Sequence, residues 1–356
     1  MTKRINPALP RLWRDPLTMQ LGLGRNAVVI NQITTVEERI IELLQLGIAD
    51  NQTTQIDDLV GAQNATTASL LDRLGSAVIG DAKGKALNTN WLEQSFAEIV
   101  RVAYEHNVNP QMVLAERASR LVHIDYLDRS GLMLMKALGA AGVSQFASHD
   151  RGRVAETDLS ALGYSTEQLG LRRADAALAA LEAAGFSPAL VSSKGKRRAL
   201  LTLLNENFKA KIDIAILISH RLPNINSQRR LENSDCRHIN IEYSEDYVSI
   251  SPILQRSKTP CLTCYQKTKT AEDETWPAIA TQITQMTRDQ DDVAALLLAC
   301  GLACRLVIAE LDRIAGFNVE SENLGWQLDR ATGDIVRFSF DFAADCECRG
   351  ASSAAN

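Results

Sequence analysis

The chain has 356 residues and a formal net charge of -5, with 46% hydrophobic and 23% charged residues. This composition is typical of a soluble globular protein of about two domains and excludes a largely disordered chain. The negative charge argues against general nucleic-acid binding, which needs a basic face. Seven cysteines without a recognisable export signal favour a reducing compartment, so we expect a cytoplasmic protein with free or metal-bound thiols.

Residues 1–85 predict a small α+β module. Apolar residues alternate on both sides of Gly24, Arg25 and Asn26, which predicts a β-hairpin. Three amphipathic segments then predict short helices, at residues 36–46, 56–60 and 67–74. A hairpin with three short helices is the composition of a winged-helix fold. Because none of these helices is basic, we expect the module to bind a peptide rather than DNA.

Residues 86–117 predict a helical connector, with a main helix at residues 91–104 and a break at Asn109 and Pro110. The next stretch, residues 120–150, has the pattern of a strand, a helix that ends near a glycine, and a second strand. This is one βαβ unit, the element from which a doubly wound sheet is built.

A nucleotide-binding βαβ unit normally has three glycines at its first turn, because they let the backbone approach a phosphate at the helix N-terminus. Here the three positions hold Tyr126, Asp128 and Gly131, so only the glycine needed for close helix packing is present. Asp128 would also repel a phosphate. The acidic residue expected on the ribose hydroxyls is Asp150. The pattern predicts a nucleotide fold with an altered phosphate site.

Strands and helices continue to alternate after this unit, which predicts an α/β domain with a doubly wound, mostly parallel sheet over residues 118–349 and a disordered tail at 350–356. The predicted helices are residues 173–184, 199–207 and 291–314. The predicted strands are residues 189–192, 212–219, 238–242, 247–254 and 335–340. The apolar run at residues 293–304 is too short to cross a bilayer, so we expect a buried helix and no membrane contact.

Two closely spaced cysteine pairs predict a structural zinc site that ties the C-terminal segment to the domain. Its four ligands are Cys261, Cys264, Cys346 and Cys348. The first pair has the standard spacing of two intervening residues, whereas the second has only one, and unliganded thiols are the alternative. Cys300 and Cys304 lie four residues apart in an apolar helix and are expected to be core thiols.

The ordered set of motifs resembles the ThiF/MoeB/HesA superfamily of ubiquitin-activating-enzyme-like adenylyltransferases, over about residues 10–349. The set contains the helix end GAAGV, the helix start Arg173-Ala174, the strand IDIAILIS, and ISPIL leading into TPCLTC. The start Trp13-Arg14-Asp15-Pro16 and the small N-terminal module resemble actinobacterial ThiF-like proteins and the leader-peptide-binding partners of azoline-forming cyclodehydratases.

The resemblance implies an α/β fold of the ThiF-like Rossmann type that binds ATP and magnesium. It also implies adenylation of the C-terminal carboxylate of a small ubiquitin-like carrier protein, by attack of that carboxylate on the α-phosphate. Carried over by position, Asp150 is the ribose-binding acid and Gly131 the remaining glycine of the nucleotide-binding turn. Arg173 stands where the family has a phosphate-contacting lysine.

Two further family positions are replaced. The family's arginine falls at Ala161, and the aspartate expected after the central strand falls at His220, with Arg221 as the nearest cation. Arg173, His220 and Arg221 are therefore the candidate catalytic residues of any remaining chemistry.

These replacements leave two functional hypotheses. Losing one preorganised group typically costs on the order of a hundredfold in rate, so we favour a degenerate member that acts as a scaffold. Its N-terminal module would capture a peptide, such as a precursor leader, and present it to a partner enzyme. The alternative is a divergent, active adenylyltransferase. His123 and His149 are conceivable substitutes for the lost groups, although histidines at strand ends are more often structural. The resemblance also implies a homodimer.

Overall fold

The computed structural model describes residues 2–62, 66–81, 95–185, 191–192, 195–196, 200–203, 211–284, 286, 292–319 and 322–349. The chain divides into two compact units. The N-terminal unit comprises Met1–Glu116, Leu190–Lys196 and Ala315–Asn318. The sheet unit comprises Arg117–Ala189, Arg197–Ile314 and Val319–Asn356.

The secondary structure of the described residues alternates between short strands and helices. The strands are β1 (Thr2–Ile5), β2 (Arg11–Asp15), β3 (Thr18–Leu21), β4 (Val28–Ile30), β5 (Ile48–Ala49), β6 (Val78–Asp81), β7 (Leu121–Ile124), β8 (Gln145–Ser148), β9 (Val191–Ser192), β10 (Gly195–Lys196), β11 (Leu200–Leu203), β12 (Ile214–His220), β13 (His238–Tyr243), β14 (Tyr247–Ile250), β15 (Gly325–Asp329) and β16 (Ile335–Phe338). The helices are α1 (Thr35–Leu46), α2 (Thr53–Val60), α3 (Thr66–Leu74), α4 (Phe96–His106), α5 (Pro110–Ser119), α6 (Arg129–Ala140), α7 (Arg173–Ala183), α8 (Ile225–Asn233), α9 (Leu262–Glu272), α10 (Trp276–Ile283) and α11 (Val293–Ile314).

The N-terminal unit has three small antiparallel sheets, β2-β3-β4, β5-β1-β6 and β9-β10, and contains the helices α1 to α4 and most of α5. Thr34 begins α1 with a capping box, in which its side chain accepts from the Glu37 N–H and the Glu37 carboxylate accepts from the Thr34 N–H. The Asp57 carboxylate accepts from both the backbone and the hydroxyl of Thr67, which joins α2 to α3. The predicted hairpin (β3 and β4) and three helices are therefore present, and β1, β2, β5 and β6 are additional strands.

The sheet unit is built on one mixed sheet of eight strands, in the order β11-β8-β7-β12-β13-β14-β15-β16. The first five strands are parallel, and the last three continue the sheet in antiparallel pairs. The predicted βαβ unit is formed by β7, α6 and β8, with Leu121 opposite Gln145. The prediction of a mostly parallel sheet is accordingly corrected to a parallel half joined to an antiparallel half.

Helices cover both faces of this sheet, as the doubly wound prediction requires. One face packs against α6, α7 and α11 in the main core, which contains Ile124, Leu138 and Ile216. The other face packs against α8 and α9 through a smaller core that contains Leu217 and Leu231. Successive residues of β12 point to opposite faces and are buried on both, which explains its continuous apolar sequence.

Helix α11 is long and apolar enough to cross a membrane by length and composition, and half of its most apolar window is buried within the protein. Leu296, Ala299, Ala303 and Val307 belong to the main core of the sheet unit. A core helix of a globular domain satisfies the same length and composition test, and α11 packs as such a helix.

The helix predicted at residues 199–207 is wrong for its described part. Leu200–Leu203 form the edge strand β11, which pairs in parallel with β8. Leucine favours helices, but a short apolar run does not reveal its period, and the free edge of β8 supplies backbone hydrogen bonds that decide the conformation. Of the other predictions, residues 91–94, 189–190, 204–207 and 350–356 lie outside the described residues.

Candidate functional site

The carboxyl ends of three neighbouring parallel strands form the candidate site. Strand β7 ends before Asp125, β8 ends before His149, and β12 ends at His220. Parallel strands present their carboxyl ends at one edge, so the loops after them lie together. In this way the fold brings Asp128, Asp150 and His220 to one side of the sheet.

The Asp150 carboxylate is buried, with both of its oxygens engaged by the protein itself. Its Oδ2 accepts from the Leu127 N–H at 2.8 Å, and its Oδ1 accepts from the Gly152 N–H at 2.6 Å. The Nη1 of Arg173 lies 3.6 Å from Oδ2. The residue predicted to bind a ribose therefore closes its own loop and pairs with a cation.

Arg173 is the first residue of α7, as predicted, and its guanidinium is enclosed by protein groups. Its Nε donates to Asp158 Oδ2 at 2.9 Å, and its guanidinium carbon lies 4.8 Å from the centre of the Tyr126 ring. Burial opposes the charge, but the Tyr126 hydroxyl and the Asp158 carboxylate together raise the pKa of Arg173. The guanidinium is thus permanently charged and held between Asp150, Asp158 and Tyr126.

The turn before α6 is where the sequence pattern predicted an altered phosphate site. The Asp128 carboxylate accepts from the Gly131 N–H at 3.0 Å and so caps the helix with the protein's own negative charge. Burial opposes ionisation of Asp128, but hydrogen bonds from His220 and Gly131 lower its pKa. A Cβ at Gly131 would lie 2.0 Å from the Tyr126 carbonyl oxygen, so this glycine is required by close packing.

The other predicted residues are divided between the site and the surface. His220 Nε2 lies 3.4 Å from Asp128 Oδ2, and its ring stacks on Tyr243 with ring centres 5.5 Å apart. Arg221 donates from Nε to Glu245 at 2.6 Å. Ala161 is exposed in a turn. Of the three catalytic candidates, Arg173 and His220 therefore lie at the sheet edge beside Asp128 and Asp150, whereas Arg221 pairs with a surface carboxylate.

Four cysteines from distant parts of the sequence converge in the sheet unit. The cluster consists of Cys261, Cys264, Cys346 and Cys348, whose sulfurs all lie within 4.8 Å of one another. Neighbouring sulfurs are 3.4 to 3.8 Å apart. Four thiolates at about 2.3 Å from a tetrahedral zinc ion would be about 3.8 Å apart, so this donor set fits zinc. The Lys267 Nζ, 2.7 Å from Asp345 Oδ2, further ties the C-terminal segment to α9.

The seven cysteines fall into this cluster of four and three thiols that lie elsewhere in the sheet unit. Burial raises the pKa of Cys261 to about 12, so without a cation this thiol is protonated at neutral pH. Cys300 is buried in α11, where its sulfur lies 3.7 Å from the Ser130 carbonyl oxygen, and Cys304 packs beside the same core. Cys236, which the sequence pattern did not single out, is also buried, and burial raises its pKa to about 12.

His123 and His149 form a pair on the sheet, with His123 Nε2 lying 2.9 Å from His149 Nδ1. Burial, helped by the nearby His149 and Arg230, lowers the pKa of His123 to about 3. Burial and the charges of Arg230 and Arg151 also lower the pKa of His149. Both rings are therefore neutral at physiological pH, which suits a packed, hydrogen-bonded pair better than a replacement for a lost cation.

The partners of Arg173 could not be found from the sequence. Asp158 is 15 residues away in a loop whose motif only indicates a short helical turn, and Tyr126 stands at a position where a glycine was expected. No sequence spacing signals either contact.

No protein-family model matches the chain, and no curated protein sequence matches it. Several solved structures, however, have a similar fold. Escherichia coli MccB with ATP aligns over 98% of this chain and 99% of its own, with a TM-score of 0.65 and 14% identity. MccB with AMPCPP and MccA aligns over 97% and 99%, with a TM-score of 0.64 and 13% identity. PaaA aligns over 94% and 98%, with a TM-score of 0.65 and 12% identity.

The chain has the fold of MccB and PaaA. The shared fold extends over nearly the whole length of each chain. At 12 to 14% identity the likeness carries no information on which side chains perform chemistry.

The histidine pair predicts a loss of stability in acid. Folded His123 has a pKa of about 3, whereas an unfolded histidine titrates near its ordinary value of 6.5. Between these values the unfolded chain binds the additional proton, so stability is complete above pH 6.5 and falls as the pH decreases towards 3. From this residue alone we expect the free energy of unfolding in urea to be about 2 kcal/mol lower at pH 5 than at pH 7.

A substitution isolates this effect. In His123→Phe the difference between pH 7 and pH 5 is expected to shrink by about 2 kcal/mol, even if the variant is less stable overall. His106→Phe, at a histidine of the N-terminal unit, is the matched control because it leaves His123 and His149 in place. An unchanged pH dependence in His123→Phe would show that this histidine is not held neutral.

Proposed function

We propose that this protein is a peptide-binding scaffold for peptide modification, whose nucleotide region is closed by its own side chains. The proposal rests on one observation: the charges and hydrogen-bonding groups of Asp150 and Arg173 are already paired within the protein. The acid that would bind a ribose accepts from Leu127 and Gly152, and the cation that would meet a phosphate pairs with Asp150 and Asp158. A nucleotide would have to break buried, charge-assisted hydrogen bonds before making its own.

The helix N-terminus at this edge supports the same conclusion. An unoccupied N-terminus is a ready-made anion site, but the first turn of α6 already holds the Asp128 carboxylate. Asp128 in turn contacts His220, which stands where an aspartate associated with magnesium was expected. The residues present therefore do not fit a magnesium-bound triphosphate, and no catalytic step is assigned to one.

Peptide binding is supported by the shared fold and by the surface of the N-terminal unit. Structures of MccB, a microcin C7 biosynthetic enzyme, contain MccA. In the N-terminal unit, β4 is an edge strand of the β2-β3-β4 sheet, and Trp13, Leu17 and Val29 are exposed on or beside that sheet. An edge strand with apolar neighbours can accept an extended peptide as a further strand. We assign this role to the winged-helix-like module of residues 1–85.

The alternative is an active ATP-dependent adenylyltransferase that modifies the carboxylate of a small carrier protein. It is favoured by the MccB structures with ATP and AMPCPP, which have the same fold. Such an enzyme would have to release Arg173 from its carboxylates on binding a nucleotide.

The smaller features are consistent with a cytoplasmic, self-associating protein. None of the seven cysteines forms a disulfide, which is consistent with a reducing compartment. Leu297 and Leu298 on α11 and Val336 on the edge strand β16 are exposed apolar residues of the sheet unit, which a homodimer through this unit would cover.

ATP binding decides between the two functions. We expect calorimetry on zinc-loaded protein to detect no binding at millimolar ATP, with or without magnesium, because the groups that would bind a nucleotide are already paired. Asp150→Asn, which keeps one oxygen to accept from the backbone but loses the charge, is the matched variant. Magnesium-dependent binding by the wild type that Asp150→Asn abolishes would establish the adenylyltransferase alternative instead.

Peptide binding can be tested with a random-sequence peptide display library selected on the whole protein. We expect extended apolar peptides to be enriched and Val29→Asp to weaken them at least tenfold, because a charge would be placed beside the added strand. Val29→Thr keeps the shape and strand preference and should retain most binding. Leu46→Asp, at an exposed leucine at the end of α1, is the matched control. Equal binding to all four proteins would argue against the β2-β3-β4 sheet as the peptide site.

The cysteine cluster is proposed to hold one structural zinc ion. We expect metal analysis to find one zinc per chain, and a strong chelator to lower the melting temperature, because zinc binding contributes directly to folding. Cys264→Ser and Cys346→Ser should lose zinc, whereas Cys304→Ser should retain it, since Cys304 lies in α11 outside the cluster. Full zinc content in Cys264→Ser and Cys346→Ser would leave the four residues as free thiols.

A further inference from the structure

The cysteine cluster lies beside a cavity with a volume of about 460 Å³. The lining of this cavity comes from the end of α8, the start of α9 and the C-terminal segment. Three of the four clustered cysteines line it, namely Cys261, Cys346 and Cys348. Cys264, the fourth, is completely buried. The cluster is therefore part of the surface that a small molecule in the cavity would contact.

The lining of the cavity carries charges of both signs. Six of the described residues that line it are ionisable, three of them basic and three acidic: Arg229, Arg256, Lys267, Glu232, Asp345 and Glu347. Lys267 and Asp345 pair with each other, with 2.7 Å between Nζ and Oδ2. A ligand that carries both carboxylates and ammonium groups finds countercharges of both signs here. The cavity therefore suits a small zwitterion.

The sulfurs of the cluster lie close enough together to form disulfide bonds in pairs. Cys261 Sγ lies 3.6 Å from Cys346 Sγ, and Cys264 Sγ lies 3.4 Å from Cys348 Sγ. Each pair joins α9 to the C-terminal segment, and a disulfide bond would bring its two sulfurs about 1.5 Å closer together. Only the first pair has both of its residues in the lining of the cavity. An oxidant in the cavity would therefore reach Cys261 and Cys346.

We propose that the cluster is a modification site, at which a small zwitterionic disulfide enters the cavity and oxidises Cys346 and Cys261 to a disulfide bond. The Cys346 thiolate attacks one sulfur of the reagent, so that a mixed disulfide forms and half of the reagent leaves as a thiolate. The Cys261 thiolate then attacks Cys346 Sγ and displaces the other half as a second thiolate. Two cysteine thiolates are oxidised, and one disulfide is reduced to two thiolates.

This inference rests on the proposed zinc site in two respects. Zinc, when bound, keeps the four cysteines ionised, and the thiolate is the form that attacks a disulfide. Oxidation of Cys261 and Cys346 also removes two of the four ligands, so loss of the metal accompanies it. The new bond still joins α9 to the C-terminal segment. Oxidation thus exchanges one tie between these two parts of the chain for another, and reduction reverses it.

The test incubates the full-length, zinc-loaded protein with glutathione disulfide at pH 7.5, alkylates the remaining thiols and maps the tryptic peptides without reduction. We expect the peptide of residues 259–267 to be linked to that of residues 338–349, with fragmentation locating the bond between Cys261 and Cys346. A colorimetric zinc indicator should detect release of one zinc ion per chain. Dithiothreitol and added zinc should restore the starting state.

The outcomes separate this inference from the proposed zinc site, because metal analysis precedes the oxidation. Zinc-loaded protein that stays unmodified, or that forms a different disulfide bond, would overturn the inference and leave the zinc site intact. Formation of the Cys261–Cys346 bond in protein that never bound zinc would contradict the zinc site alone.

A charge substitution tests whether the reagent reacts from within the cavity. Arg256→Gln removes a cation from the lining but keeps all four cysteines. It should slow the reaction with glutathione disulfide about threefold and leave the reaction with the neutral bis(2-hydroxyethyl) disulfide unchanged. Arg39→Gln, at an exposed arginine of α1, is the matched control and should change neither rate. An Arg256→Gln variant that reacts at the wild-type rate, or that slows equally with both reagents, would refute entry through this cavity.

Discussion

A buried guanidinium must be paired, and the pairing of Arg173 determines what the parallel half of the sheet can bind. Its partners come from three different loops: Tyr126 after β7, Asp150 after β8, and Asp158 before α7. Removing any one carboxylate would leave a buried charge without its full complement, which typically costs several kcal/mol. These loops are therefore held in one arrangement, in which the charges of Asp150, Asp158 and Arg173 already satisfy one another.

The cysteine cluster is a second constraint on the sheet unit. Cys261 is the N-cap of α9 and Cys264 lies in its first turn, so anchoring the C-terminal segment to these residues fixes the start of that helix. Two residues after the pair, Gln266 accepts from Trp276 at the start of α10. Lys269 contacts the Trp276 ring and the buried Glu242. A structural zinc ion would in this way stabilise the contacts between α9 and α10 as well as the C-terminal segment.

The sequence predicted the structure correctly where a residue pattern is compatible with a single local structure or a single kind of site. The run at residues 212–219 predicted a buried strand because continuous β-branched and apolar residues suit a strand covered on both faces, and β12 confirms it. Cysteines at short spacings predicted the cluster for a similar reason. The edge strand β11 was predicted as a helix because four apolar residues do not define a period, and only the neighbouring β8 supplies the deciding hydrogen bonds.

The candidate site was less predictable because its properties depend on pairs of residues rather than on single positions. Asp150, Gly131 and Arg173 were singled out by position, but whether they can bind a ligand depends on Asp158 and Tyr126, which no spacing rule connects to them. The same holds for Gln266, whose side-chain amide is oriented by Trp276, the first residue of the next helix. Long-range side-chain pairing is decided by tertiary packing, so its consequences become visible only in the folded structure.

His220 links the end of β12 to the first turn of α6. One ring nitrogen lies 3.4 Å from the carboxylate of Asp128, which caps α6, and the ring stacks on Tyr243 of β13. The Asp128 carboxylate stands at a position where a glycine was expected. It occupies the N-terminus of α6 and at the same time holds the residue that ends β12, so one side chain joins two neighbouring parallel strands through the loops at their carboxyl ends.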